Sequence, residues 1–203
     1  MKLVRVFGGI ALAAALSGAL GGCSISSMLG GGKAPATLLT LTPEAADPGQ
    51  MTRSASASQA VTIAVPVIAK ELRTTRVPAQ IDANNVQYLT NMQWVDTPDR
   101  LFQALVAETV RRTTNRVVLD SRQAALAPGL LVNGQLQQFG YDAQTGQVVV
   151  QYDGALSTEG GAHVETRRFT ATLPADGTAA TVGPALNRAA NQVALDIAKW
   201  IAG

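Results

Sequence analysis

Hydrophobic spacing changes character several times along this chain, and each change predicts a different element. An apolar run from Val6 to Leu20, which includes glycines and Ser17, follows Lys2 and Arg5. Leu38 to Leu41 is a short apolar stretch that predicts a first strand, and Pro43 to Ala60, dominated by Ala, Ser, Pro and Gln, predicts a loose surface connection. Val61-Thr62-Ile63-Ala64-Val65, closed by Pro66, is the β-branched signature of a buried strand, and Val86 to Leu89 predicts a shorter one. Ala69 to Thr75, between them, predicts a helical turn.

The spacing then turns helical. Thr97 suits an N-cap, and Pro98 suits the first helical position, where its missing N–H costs nothing. Asp99 falls in the positive first turn, while Arg111 and Arg112 fall in the negative last one. Leu101, Phe102, Leu105, Val106 and Val110 make the stripe of a helix with one face on a sheet. After Asn115, a helix stop, Val117 to Leu119 reads as a strand. Leu130 to Asp142 and Gln147 to Ser157 alternate at period two around Gln144-Thr145-Gly146, which predicts a β-hairpin. His163 to Leu173 extends it into a meander, closed by the turn at Pro174-Ala175-Asp176-Gly177. A last helix, from near Pro184 to Ala202, carries Leu186, Ala190, Val193, Ile197 and Ile201 on one face. This order of elements predicts an α/β domain in which two or more helices cover a sheet.

The N-terminal run has the layout of a signal peptide over residues 1–22. At about 15 residues it is too short for a hydrocarbon core that needs about 20. It ends at Leu20-Gly21-Gly22-Cys23, which resembles the bacterial lipobox and makes Cys23, the single cysteine, the expected lipid attachment site. Three acyl chains on it would give an effectively permanent anchor, since one chain alone holds only marginally. Ser24, where Asp would retain the protein at the inner membrane, favours an outer-membrane lipoprotein facing the periplasm of a Gram-negative bacterium. Residues 23–37, with Gly30-Gly31-Gly32, form the expected flexible tether, and 38–203 the domain.

Charge narrows the partners. Cleavage before Cys23 removes Lys2 and Arg5, so the 16 basic residues fall level with the 14 acidic ones. A near-neutral mature chain gives no reason to expect nucleic acid as a partner. Catalytic chemistry is not signalled either. The single histidine, His163, stands at a strand start without a signature serine, and one histidine beside a lipidated cysteine makes no zinc site. Gly32-Lys33 lacks both the earlier glycine of a phosphate loop, where Ser27 stands, and the Ser or Thr after the lysine, where Ala34 stands. No metal, cofactor or catalytic residue is expected. Asp96, Asp99 and Glu108 read as capping or solvated carboxylates. Arg111, Arg112 and Arg116 form a small basic cluster, either helix-end partners or contacts for an anionic lipid headgroup or acidic surface. Tyr88 and Trp94 are the candidate partner-binding aromatics, with core packing as the alternative, and Trp200 reads as a rim-packing residue.

The segment Tyr88-Leu89-Thr90-Asn91-Met92-Gln93-Trp94-Val95-Asp96-Thr97-Pro98, followed by Leu101 and Leu105, resembles the ABC-type transport auxiliary lipoprotein (PqiC-like) family. The lipobox, Leu38-Leu39-Thr40-Leu41, the Val61 to Val65 strand and Leu136-Gln137-Gln138-Phe139 agree with it, although Leu39 stands where the family commonly has an aromatic. The resemblance implies a three-layer α/β domain with a mixed sheet of about five strands. It also implies a non-enzymatic role beside an ABC permease and ATPase and a protein with an MCE lipid-binding domain, in systems moving lipids between membranes. An outer-membrane assembly or pilotin-like lipoprotein and a stand-alone lipid carrier are the alternative functions. A free edge in the meander leaves pairing between copies of the chain open.

Overall fold

In the computed structural model, which describes residues 37–56, 59–120, 129–158 and 161–203, the chain folds in the order β1 (Ala60–Ile63), β2 (Val67–Ile68), a 3-10 turn (Lys70–Leu72), β3 (Arg76–Gln80), β4 (Val86–Gln93), α1 (Pro98–Thr113), β5 (Val117–Leu119), β6 (Leu130–Asp142), β7 (Gln147–Ser157), β8 (Val164–Pro174) and α2 (Ala179–Ala202). The expected signal peptide, Cys23 and all but the last tether residue lie outside the described residues.

The strand β6 organises a mixed sheet. Along one edge it takes three parallel partners in succession: β1 at Leu130–Val132, β2 at Gln135–Leu136 and β3 at Tyr141–Asp142. Its other edge carries the antiparallel meander β6–β7–β8. Parallel β5 extends β1, and antiparallel β4 extends β3. Eight strands are therefore present among the described residues, yet any one cross-section is five wide: β5–β1–β6–β7–β8 at one end and β4–β3–β6–β7–β8 at the other. The exchange of partners along β6 reconciles the expected width with the larger count. Among the described residues the sheet does not close.

Both helices pack on one face. Phe102 of α1 meets Tyr152 of β7 at 5.3 Å between ring centroids, and Trp200 of α2 meets Phe169 of β8 at 5.4 Å. Tyr152 and Phe169 are themselves opposite one another across β7 and β8. In α1 the buried positions Phe102, Leu105, Val106, Thr109 and Val110 repeat at i+3 and i+4. The α2 stripe is wider and rich in alanine, with Ala185, Ala189, Ala190, Ala194 and Ala198 buried, so α1 and the sheet can both approach closely. Val61, Leu136, Val148, Val150, Leu186 and Ile197 are fully excluded from solvent, each worth roughly 1.5–3 kcal/mol of burial.

The first expected strand is replaced by a strap. Of Leu38 to Leu41, only Leu39 makes a bridge, parallel to Trp94, and the backbone beyond it leaves the sheet for the helix pair. Asn187 and Asn191, one turn apart on α2, take over the pairing. The Thr42 amide donates to Asn187 Oδ1 (2.8 Å), the Glu44 amide to Asn191 Oδ1 (2.8 Å), and Asn191 Nδ2 to the Thr42 carbonyl (2.9 Å). Arg112 Nη1 donates to the Ala45 carbonyl (2.9 Å), which fastens the strap to α1 as well. Sheet, helix pair and strap thus succeed one another. Among the described residues neither α1 nor α2 covers the second face of the sheet, where the 3-10 turn at Lys70–Leu72 lies over the β3–β4 end alone.

Three sequence expectations shift. Of the run Val61 to Val65 only Val61 to Ile63 lies in β1, and a second short strand, β2, follows Pro66. Arg76–Gln80 is a strand in spite of Pro78 inside it. The last helix begins at Ala179, five residues before Pro184, because Asp176 accepts from the Thr178 amide (2.9 Å) and from the Thr178 and Thr181 hydroxyls and so secures the first turn. Those bonds, the Thr178 hydroxyl first and Thr181 next, hold the Asp176 carboxyl down at about 2.

Candidate functional site

Two irregularities decide which side chains reach the uncovered face. Asn91, at φ 58°, accompanies a register shift between β3 and β4, so that Arg76 lies opposite Gln93 while Pro78 lies opposite Tyr88. Asn tolerates the left-handed conformation better than most residues, and an odd number of extra residues, here three on β4, reverses the alternation of a strand. Before the bulge, Tyr88 points away from the helices with Pro78. Beyond it, Met92 and Trp94 point into the core. Without the bulge, Tyr88 and Trp94 would share a face, as their even spacing implies. A second shift, between Leu136 and Gln138 of β6, likewise turns Phe139 inward and Gln138 outward.

Tyr88 is half-buried. Its hydroxyl donates to the Glu71 carbonyl (3.1 Å), tying the 3-10 turn to β4, and the Arg76 guanidinium lies 4.3 Å from its ring centroid. Beside it, Leu72, Pro78, Val86, Gln138 and Val149 line a shallow hollow. Its floor is Gly140, where a Cβ would stand 2.5 Å from the Pro78 carbonyl oxygen, so β3 can approach β6 only across a glycine. The middle of the face is polar. Arg168 grips Asp153 through two bonds (2.6 and 2.7 Å), and Gln137 adds a third at 3.2 Å. The Arg168 guanidinium, with help from Gln137, holds the Asp153 carboxyl below its usual range. Thr166, Thr170 and Thr172 continue the face along β8.

The other aromatic candidate is not at the surface. Trp94 is only 2% exposed and packs on Phe139 at 5.4 Å, so its ring is a core element and offers nothing to a partner. Trp200, as expected of a rim-packing residue, is nearly buried, with its indole N–H donating to Glu165 Oε1 (2.7 Å).

The three arginines meet around one surface hollow, joined there by Arg53, Asp47 and Glu108. Arg112 pairs with Glu108 (2.7 Å) and with the strap, and Arg116 donates to the Ile201 carbonyl (3.3 Å) at the end of α2. Arg111 is looser, 3.4 Å from Glu108 and 46% exposed along its side chain. Two of the three thus serve the helix ends and strap, leaving Arg111 as the outward cation. His163, the residue just before β8, is exposed. Among the described residues, no group of three or more His, Cys, Asp or Glu is placed to hold a metal ion, and no helix is long and apolar enough to cross a membrane.

Sequence reasoning found Tyr88 but missed its setting. Pro78 hid β3, and only Asn91 signalled the bulge. The Asp153–Arg168 pair could not be read before the register of β7 and β8 was known.

Residues 39–198 match the model of a family described as ABC-type transport auxiliary lipoprotein component. Among proteins of curated function, none matches the sequence. The fold is similar to the crystal structure of protein XCC0632 from Xanthomonas campestris, of family DUF330, with a TM-score of 0.69 at 17% identity over 82% of this chain and 95% of that one. It is also similar to an uncharacterized protein with a TM-score of 0.60 at 17% identity, over 70% of this chain and 92% of that one. At these identities the likeness concerns the fold.

Proposed function

Because the chain belongs to the ABC-type transport auxiliary lipoprotein component family, we propose that it is the lipid-anchored, periplasm-facing subunit of an MCE/ABC-type system that moves lipid between membranes. It acts by docking and not by catalysis. In this reading Cys23 carries the acyl chains, Ser24 sends the protein to the outer membrane, and residues 24–37 tether the domain close to the bilayer. A flexible segment of that length has an r.m.s. span of roughly 20 Å, which raises the local concentration of the docking surface so that weak contacts suffice.

The observation that carries the docking role is the uncovered sheet face. It presents Tyr88 and the Gly140-floored hollow at one end and Asp153–Arg168 at its middle. This is a mixture of an aromatic anchor and polar surroundings that suits a partner protein. The alternative of a stand-alone carrier would place lipid between sheet and helices. That space is filled by Leu136, Val148, Val150, Leu186 and Ile197, none of which sees solvent. Arg111 is the residue of the basic cluster left to meet an anionic group.

The test is capture from native membranes with a photo-crosslinking residue at Thr170, on the uncovered face. An adduct with an MCE protein supports the reading, and its loss on Tyr88→Ala assigns the anchor. If the same probe at the exposed α2 position Gln192 gives that adduct and Thr170 does not, docking uses the helix layer and the assignment of the sheet face fails.

A further inference from the structure

The two sides of β8 differ. One is paired with β7 at all 11 positions from Val164 to Pro174 without a bulge, and among the described residues the other side pairs with nothing. Val164 to Arg168 are exposed on both faces, while from Phe169 onward α2 covers one face. A regular, unpaired edge is a template for another strand unless its side chains forbid it.

Here the side chains select a partner. Glu165 and Arg167 share a face, 3.7 Å apart. Glu165 also accepts the Trp200 indole N–H, and the Arg167 guanidinium lies 6.0 Å from the Trp200 ring centroid. We propose that β8 pairs antiparallel with β8 of a second copy, about a two-fold axis through Thr166 and normal to the sheet. Glu165 of each copy then lies opposite Arg167 of the other, and Val164 lies opposite Arg168.

Opposite residues in an antiparallel pair share a face, so each Glu–Arg match occurs twice, as an isologous interface requires. Moving the axis to Arg167 sets Arg167 against Arg167, and moving it to Arg168 sets Arg168 against Arg168. Like charges directly opposite destabilise a pair. From Phe169 onward the obstacle is steric, because this symmetry keeps both α2 helices on the same face, where they would meet. The charges thus define a short, self-complementary register at the open end of the strand. This contact leaves the face bearing Tyr88 free and does not depend on the docking role.

Cysteine crosslinking of the full-length protein in its native membranes tests the register, with the wild type as the control for Cys23. Thr166→Cys is expected to give a disulfide-linked dimer under mild oxidation, and Thr170→Cys is not. Glu165→Arg and Arg167→Glu, each combined with Thr166→Cys, should lower the dimer yield roughly tenfold. The double reversal should restore it, since the two cross pairs return with exchanged signs. That rescue separates pairing from any loosening of Trp200 in Glu165→Arg. A monomeric Thr166→Cys protein, a Thr170→Cys dimer of equal yield, or a double reversal no better than the single ones would overturn the proposal.

Discussion

Replacing Asn191 by alanine should release the strap without unfolding the domain. The Asn191 side chain is 7% exposed and makes three bonds: it accepts from the Glu44 amide at 2.8 Å and donates to the Thr42 and Asn187 carbonyls, each at 2.9 Å. Two of these hold the strap, and at roughly 0.5–1.5 kcal/mol each their loss costs about 1–3 kcal/mol. The cost stays local, because Thr42 and Glu44 are exposed and can bond to water once the strap lifts. Against this stand the half-buried Leu39 and Leu41, which pack on the core cluster, and the bonds that Asn187 makes to Thr42 and Glu44 and Arg112 to Ala45, which limit the release to the residues Asn191 holds. Hydrogen exchange is the assay. The Glu44 amide should exchange about 5- to 150-fold faster, at tenfold per 1.4 kcal/mol, while amides of β6 and β7 change little. Asn191→Asp should be worse at neutral pH, since it keeps the acceptor for Glu44 but turns an oxygen toward two carbonyls. That environment raises the carboxyl pKa in the folded state, so Asn191→Asp should regain strap protection as pH falls through the raised value. Unchanged Glu44 exchange in Asn191→Ala would refute the assignment of the two asparagines as the strap's pairing partners.

Trp94→Ala should lower stability by about 3–5 kcal/mol as a buried aromatic lost from the core, whereas Tyr88→Ala should cost less and reduce partner capture; chemical denaturation beside capture separates them. Gly154→Ala should destabilise by about 1–3 kcal/mol in thermal melts, because its Cβ would stand 2.9 Å from Tyr152 and 3.3 Å from Trp200, inside the ring cluster. Acid should loosen the start of α2. Asp176 has its carboxyl lowered to about 2 in the fold, so its contribution is present above pH 4 and is lost as pH falls toward 2. Asp176→Asn should flatten that part of the stability-versus-pH curve.

The elements legible in the sequence were those whose local pattern and tertiary role agree. The stripe of α1, the β6–β7 hairpin and β5 appear with the expected limits, because one-sided burial writes its period directly into the chain. What escaped was set by neighbours. Leu38 to Leu41 has strand composition, but Asn187 and Asn191 capture the backbone beyond it, nearly 150 residues away in sequence. Arg76–Gln80 contains a proline and becomes a strand because Gly140 admits Pro78 against β6. The candidate site was half legible. Tyr88 and Trp94 looked equivalent by composition and spacing, and one left-handed residue, Asn91, sends them to opposite sides of the sheet. The basic cluster was found as a cluster, yet its bonds to Ala45 and Ile201 belong to the strap and the end of α2.

Docking of a lipid-transport assembly through the uncovered sheet face is the proposal on which the functional reading rests. Its most direct test is crosslinking of the full-length protein in native membranes, followed by affinity capture and mass spectrometry of bound proteins and lipid. The expected result is an MCE protein together with an ABC permease and ATPase, linked through residues of the face bearing Tyr88 and Thr170. Recovery of a secretin or another outer-membrane assembly without transporter subunits would contradict it.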